Sequence, residues 1–131
     1  MTLVVDASVA VPASLALRWS GRAAKEDLAA PTLLWSEAAS SLRQLRYRDE
    51  ADDGVIGRAL AWLRAADIAM HPSRELMEDA YALAASLGWA KTHDAEYVVL
   101  ARQLGASLVT ADARLCRAVS ALIPVLAPAE L

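Results

Sequence analysis

The sequence predicts an α/β fold, a small and mostly parallel sheet flanked by helices, and three observations carry that expectation. Leu3-Val4-Val5 and Ser107-Leu108-Val109-Thr110 are short β-prone apolar runs without polar alternation, as in strands buried on both faces. The longer stretches between them repeat apolar residues at helical spacing, and strands alternating with helices build parallel sheets covered on both sides. Each run is followed by an acid, Asp6 directly and Asp112 two residues on. In a parallel sheet that is the carboxyl edge, where open α/β folds place their ligands.

After the first strand, Ala7 to Ala24 reads mostly as helix, with Pro12 tolerated only near its first turn. Leu28-Ala29-Ala30 reads as a weak short strand or an extended link. Pro31 opens a helix that runs through Glu37 to about Tyr47, with Leu33, Leu34, Ala38, Leu42 and Leu45 on one stripe. Arg43, Arg46 and Arg48 crowd its far end, where cations complement the helix dipole. A polar turn over 49–54 leads into a helix from about Val55 to Ala65. Asp67 to Met70 reads as a short strand closed by His71-Pro72, and His71 takes a structural place in that turn. Ser73 suits the cap of a helix over Arg74 to Leu87, which Gly88 ends. Trp89 to His93 reads as irregular. Asp94 then starts a helix over Ala95 to Leu104, with Gly105 as its stop. Ala113 to Leu122 reads as helix, and Val125-Leu126, framed by prolines, as a last edge strand.

A chain of 131 residues suits one domain spanning 1–131, with enough length for a real core. Its hydrophobic fraction of 56% excludes general disorder, and with no phenylalanine the bulk of the core falls to Trp, Leu and Val. The net charge of −3 is not the basic excess of a general nucleic-acid binder. Only Lys25 and Lys91 are lysines, so eleven of the thirteen basic residues are arginine, the better side chain for bidentate phosphate contacts. One cysteine, Cys116, excludes an intrachain disulfide framework and reads as a small buried hydrophobe in a reducing compartment. Asp6 interrupts the N-terminal apolar run, which fits neither a signal peptide nor a membrane span, so a cytoplasmic protein is expected.

Four acids each interrupt or border an apolar stretch: Asp6, Glu37, Asp94 and Asp112. Local roles are open to three of them, Asp94 and Asp112 as helix N-caps and Asp6 as a turn former. Glu37 sits within the apolar part of its helix, where an acid needs a partner. Taken together the four suggest a second role. Carboxylates gathered at one sheet edge repel one another unless a cation is present, and Mg²⁺ or Mn²⁺ prefers such oxygen ligands. Spacing alone does not bring them together.

The blocks Val4-Val5-Asp6-Ala7-Ser8-Val9-Ala10-Val11, Leu34-Trp35-Ser36-Glu37-Ala38, His93-Asp94-Ala95-Glu96-Tyr97-Val98-Val99-Leu100-Ala101 and Leu108-Val109-Thr110-Ala111-Asp112-Ala113-Arg114-Leu115 resemble, in order, the motif blocks of the PIN-domain family, most of all its VapC-type toxins. The resemblance implies a PIN-like three-layer sandwich. It implies an endoribonuclease dependent on Mg²⁺ or Mn²⁺, cutting RNA with a water that the metal activates. Asp6 and Asp94 would be metal ligands, Glu37 and Asp112 would complete the site directly or through water, and Ser8 and Thr110 would be supporting hydroxyls. It further implies a homodimer held inactive by a VapB-type antitoxin, whose tail covers the groove. Two departures stand out: the stretch from Pro12 to Ala30 is short and alanine-rich, and His93 replaces a tyrosine more usual before Asp94. Two accounts are open to that histidine, packing or a surface role, and contact with substrate beside the metal site.

Candidate phosphate contacts are Arg43, Arg46, Arg114 and Arg117, although helix surfaces carry arginines for solubility as well. The four tryptophans are too scattered for a base-stacking platform and read as core or interface residues. The competing function is a catalytically inert module of the same fold that binds an antitoxin or RNA. A phosphatase of the haloacid-dehalogenase type also carries Asp after its first strand, but it expects a second Asp where Ser8 stands. No base-reading motif identifies which RNA would be cut.

Overall fold

The computed structural model describes residues 1–128, so the last three residues of the expected domain lie outside the described residues. Five strands form one sheet: β1 (Thr2–Val5), β2 (Asp27–Pro31), β3 (Ala69–His71), β4 (Ser107–Val109) and β5 (Val125–Leu126). All neighbours are parallel, in the order β3-β2-β1-β4-β5. Leu3, Val4 and Val5 are fully buried because β1 is the central strand, with a partner on each side and helices over both faces.

The helices are α1 (Ala7–Ala16), α2 (Leu33–Tyr47), α3 (Asp53–Ala65), α4 (Ser73–Ser86), α5 (His93–Leu104) and α6 (Ala113–Val119), with a 3₁₀ turn at Gly21–Ala24. From β1 the chain steps outward to β2 and β3, then returns past β1 to β4 and β5. Right-handed crossovers therefore put α1, α2 and α3 on one face and α4, α5 and α6 on the other. The packing agrees, with α1 against α2 and α3, and α4 against α5. Between β1 and β4 the crossover direction reverses, and a crevice opens there beyond the strand ends. α5 is the most buried helix, every residue from Ala95 to Ala101 being inside, because it packs on α4 and lies against β1, β2 and β4.

Several expectations are corrected. The helix expected over 7–24 is two elements. Pro12 lies in the middle of α1 rather than near its start, and lacks the N–H that would bond back along the helix. α1 ends one turn later at Ala16. Leu17 takes a left-handed φ of 58°, and the N–H groups of Leu17 and Arg18 close on the carbonyls of Ser14 and Ala13. Trp19 then packs on Trp62 of α3, ring centroids 5.0 Å apart, and ties this connection to the helix layer.

The weak link at Leu28-Ala30 is a strand paired on both sides. Alanine has little β-preference of its own, but pairing with β1 and β3 and burial under α5 override it. Pro31 ends this strand instead of opening α2. β3 begins two residues later than expected and includes His71, and α4 begins at Ser73, whose N–H donates to Thr32 Oγ1. α6 stops at Val119 instead of Leu122.

Candidate active site

The register of the central strands builds the site. Val5 pairs with Val109, so the next residues along, Asp6 and Thr110, leave the sheet side by side. Asp6 is buried, and the Ser8 hydroxyl donates to its Oδ1 at 2.5 Å. Ser8 Oγ also lies 3.3 Å from Thr110 Oγ1 and accepts from the Ala111 N–H at 2.8 Å. Thr110 Oγ1 in turn accepts from the Asp112 N–H at 3.1 Å. Two hydroxyls thus lace the ends of β1 and β4 together and hold the segments carrying Asp6 and Asp112.

Each acid is held differently. Asp112 is the N-cap of α6, its Oδ1 accepting from the N–H groups of Arg114 and Leu115, as an N-cap acid should. Glu37 projects from α2, and Tyr97 of α5 donates its hydroxyl to Glu37 Oε1 at 2.6 Å. Burial, followed by the neighbouring Glu37 carboxylate, pushes the Tyr97 hydroxyl well above its usual range, so it stays a donor. Asp94 lies in the exposed first turn of α5, within the helix rather than at its cap, and makes no side-chain hydrogen bond among the described residues.

The electrostatics tie the acids to one another. Burial raises the Asp6 carboxyl above its usual value, the Ser8 and Thr110 hydroxyls oppose that rise, and the charge of Asp94 adds to it. Asp94 is raised by the cleft wall around it and then by Asp112, while His93 and Arg114 pull it down. Glu37, Asp94 and Asp112 line a cleft of about 630 Å³ together with Trp89, Lys91, His93 and Arg114. Asp6 lies deeper, at the strand end.

Among the described residues, no three His, Cys, Asp or Glu side chains stand close enough to hold a metal ion as they are. The donors are nonetheless all carboxylate oxygens, and two pairs of them, Asp6 with Asp94 and Asp94 with Asp112, repel through space. That chemistry fits a hard cation bound by one or two carboxylates with waters between it and the others, the habit of Mg²⁺.

Of the four arginines singled out, Arg114 lines this cleft. Arg46 is engaged elsewhere, donating to Asp53 at 2.7 Å and to Asp49 at 2.9 Å, and Arg43 lies over the Tyr47 ring. Arg117 sits exposed on α6, outside the cleft lining. Tyr97 and Lys91 escaped the sequence reading, which gave Trp89 only a core or interface place. Tyr97 carried a signal, since residues three apart on a helix share a face and it stands three beyond Asp94.

Fold and site together define a class, a parallel α/β protein with a carboxylate-lined crevice at its switch point. The model of the PIN domain matches residues 3–120, and the chain belongs to the PIN-domain family, in its VapC-type branch. Over 127 residues it is 39% identical to a VapC ribonuclease of Mycobacterium bovis, covering 94% of this chain and 95% of that one. The same identity and coverage hold for Ribonuclease VapC9 of Mycobacterium tuberculosis. The crystal structure of PAE2754 from Pyrobaculum aerophilum shares the fold, with a TM-score of 0.68 and 23% identity over 90% of this chain and 79% of that one. A PilT N-terminus domain protein of Sulfolobus solfataricus matches at a TM-score of 0.50 and 14% identity, over 99% and 89% of the two chains.

Proposed function

We propose that this chain is a single-domain endoribonuclease toxin dependent on Mg²⁺ or Mn²⁺. In this reading it forms a homodimer in the cytoplasm and is restrained by a VapB-type antitoxin. One observation carries the reading: Glu37, Asp94 and Asp112 line one cleft and the charge of Asp94 acts on Asp6 at the strand end, in a chain that is 39% identical to VapC ribonucleases over nearly its whole length. The acid-lined groove is also a fitting seat for a cationic side chain of an antitoxin tail. Among the described residues no helix is long and apolar enough to cross a membrane.

Asp6 and Asp94 would hold the cation, with Glu37 and Asp112 completing the site directly or through water. A divalent ion bound there lowers the pKa of water and stabilises charge on a phosphoryl group. The chain's own part is to arrange the acids. Ser8 and Thr110 fix Asp6 and favour its ionised form, Tyr97 aims Glu37, and the α6 N-terminus anchors one oxygen of Asp112. Burial and mutual repulsion disfavour the simultaneous ionisation of Asp6 and Asp94, and a cation relieves both costs.

The test uses protein purified free of any antitoxin. RNA cleavage is followed with Mg²⁺ or Mn²⁺ and with chelator, in wild type and Asp6→Ala. Cleavage that needs the metal and is lost in the variant is expected; equal cleavage by the variant overturns the assignment. The inert binding module is the second reading, favoured because among the described residues no three carboxylates converge closely enough to hold a metal. Binding of RNA or an antitoxin by the wild type, without cleavage at any metal concentration, would establish it.

A further inference from the structure

The cleft has a second wall that the acid chemistry does not use. It is formed by Gly88–Lys91, between α4 and α5, together with His93 and Arg114. Trp89 is set there by the way α4 ends. Gly88 takes a left-handed φ of 71°, its N–H reaching the Ala85 carbonyl at 3.2 Å, while the Trp89 N–H reaches that of Ala84 at 2.8 Å. This is the paired closure of a Schellman motif, in which the residue after the glycine packs back on the last turn. Trp89 accordingly has part of its ring against the core and part in the cleft.

The cations of this wall are uncommitted. Among the described residues neither Lys91 nor Arg114 lies within ion-pair distance of a carboxylate, although Arg114 is near enough to Asp94 to lower its pKa. Arg46, by contrast, is consumed by two aspartates. An aromatic side chain with two cations outside any ion pair, in one cleft with carboxylates suited to a divalent ion, matches one ligand chemistry. An unpaired nucleobase lies on the ring, and its neighbouring phosphates meet the cations.

We infer that Trp89 stacks on an unpaired base beside the scissile phosphate while Lys91 and Arg114 hold the flanking phosphates, so that this wall positions a single RNA strand across the acids. The inference rests on the ribonuclease reading of the same cleft. A paired base inside a duplex has no free face to offer the indole, so the wall selects for unpaired strand.

The test is equilibrium binding of a short fluorescein-labelled RNA of mixed sequence, with chelator present so that nothing is cut. The same RNA annealed to its complement serves as the comparison. Trp89→Leu keeps apolar bulk without an aromatic face, whereas Trp89→Tyr keeps the face. The expected result is roughly tenfold weaker binding for the Leu variant, within the range for losing one stacked base, and recovery with Tyr. Lys91→Ala is expected to reduce the slope of log affinity against log salt by about one phosphate contact. Thermal melts of the free variants verify folding. Unchanged affinity in Trp89→Leu overturns the inference, as do equal losses in the Leu and Tyr variants, or equal affinity for single strand and duplex. It also falls if Trp89→Leu weakens only the complex with an antitoxin, since the indole then serves a protein partner. If the wild type binds RNA through Trp89 but never cuts it, the ribonuclease reading fails, and of this inference only the stacking of an unpaired base on Trp89 stands.

Discussion

The two ends of the sheet both collect acids, and they treat them in opposite ways. At the amino edge stand Glu26, Asp27 at the start of β2 and Asp67 before β3. Asp27 and Asp67 are exposed, and Glu26 has a cation at hand, its carboxylate 3.3 Å from the Met1 amino group and 3.9 Å from Arg22. At the carboxyl edge Asp6 is buried, and it and Asp94 are both raised, each by its surroundings first and by a neighbouring acid second. Residue type is the same at both ends. What differs is that helix N-termini, loop hydroxyls and the reversal of crossover direction all fall at the carboxyl edge, so there Asp6 is enclosed and neighbouring carboxylates act on one another.

The strongest way to break this contrast is to neutralise one acid at each edge. Asp94→Asn is expected to lower metal-dependent RNA cleavage by about a hundredfold or more. Asp67→Asn should leave it unchanged. Comparable losses measured for both variants in initial-rate assays would erase the distinction. A smaller effect, about tenfold on kcat, is expected for Tyr97→Phe, which frees Glu37 without touching its charge. The same change removes a hydrogen bond to a charged group, so denaturant unfolding should show a loss of roughly 1–3 kcal/mol.

Metal-free stability should also separate the edges. A carboxyl raised in the folded state binds more protons folded than unfolded. Its contribution therefore weakens stability as pH rises from its usual value of 3.8 through the raised one. Asp6→Asn is expected to remove its share of that slope, and saturating Mn²⁺ to flatten the slope in the wild type. Asp67→Asn should do neither, as read from melting temperature against pH. The smallest effect concerns Glu96. It is buried, and among the described residues its Oε1 has no hydrogen-bond partner. It stands two residues past Asp94, and so on another side of α5 from the cleft. Glu96→Leu is expected to raise stability by about 1 kcal/mol with cleavage intact; a lower melting temperature would show that the carboxylate has a partner after all.

Much of this was readable from residue order. Unbroken apolar runs at Leu3-Val5 and Ser107-Thr110 identified the central pair of strands, because only strands covered on both faces dispense with polar alternation. All four acids were visible as polar interruptions of apolar stretches. Elements whose identity depends on neighbours were harder to read. Alanines in β2 have no strand preference until β1 and β3 flank them, and Pro12 does not announce where a helix will end.

The chain's local chemistry thus determined the element order, the α/β class and which acids stood out, since burial pattern and capping preference are properties of short stretches. Tertiary structure alone decided what those acids are to one another. The register of β1 on β4 set Asp6 beside Thr110, α5 carried Tyr97 to Glu37 across sixty positions of sequence, and the turn after α4 brought Trp89 into the cleft. Contacts so distant along the chain depend on how strands pair and helices pack, which no local preference encodes.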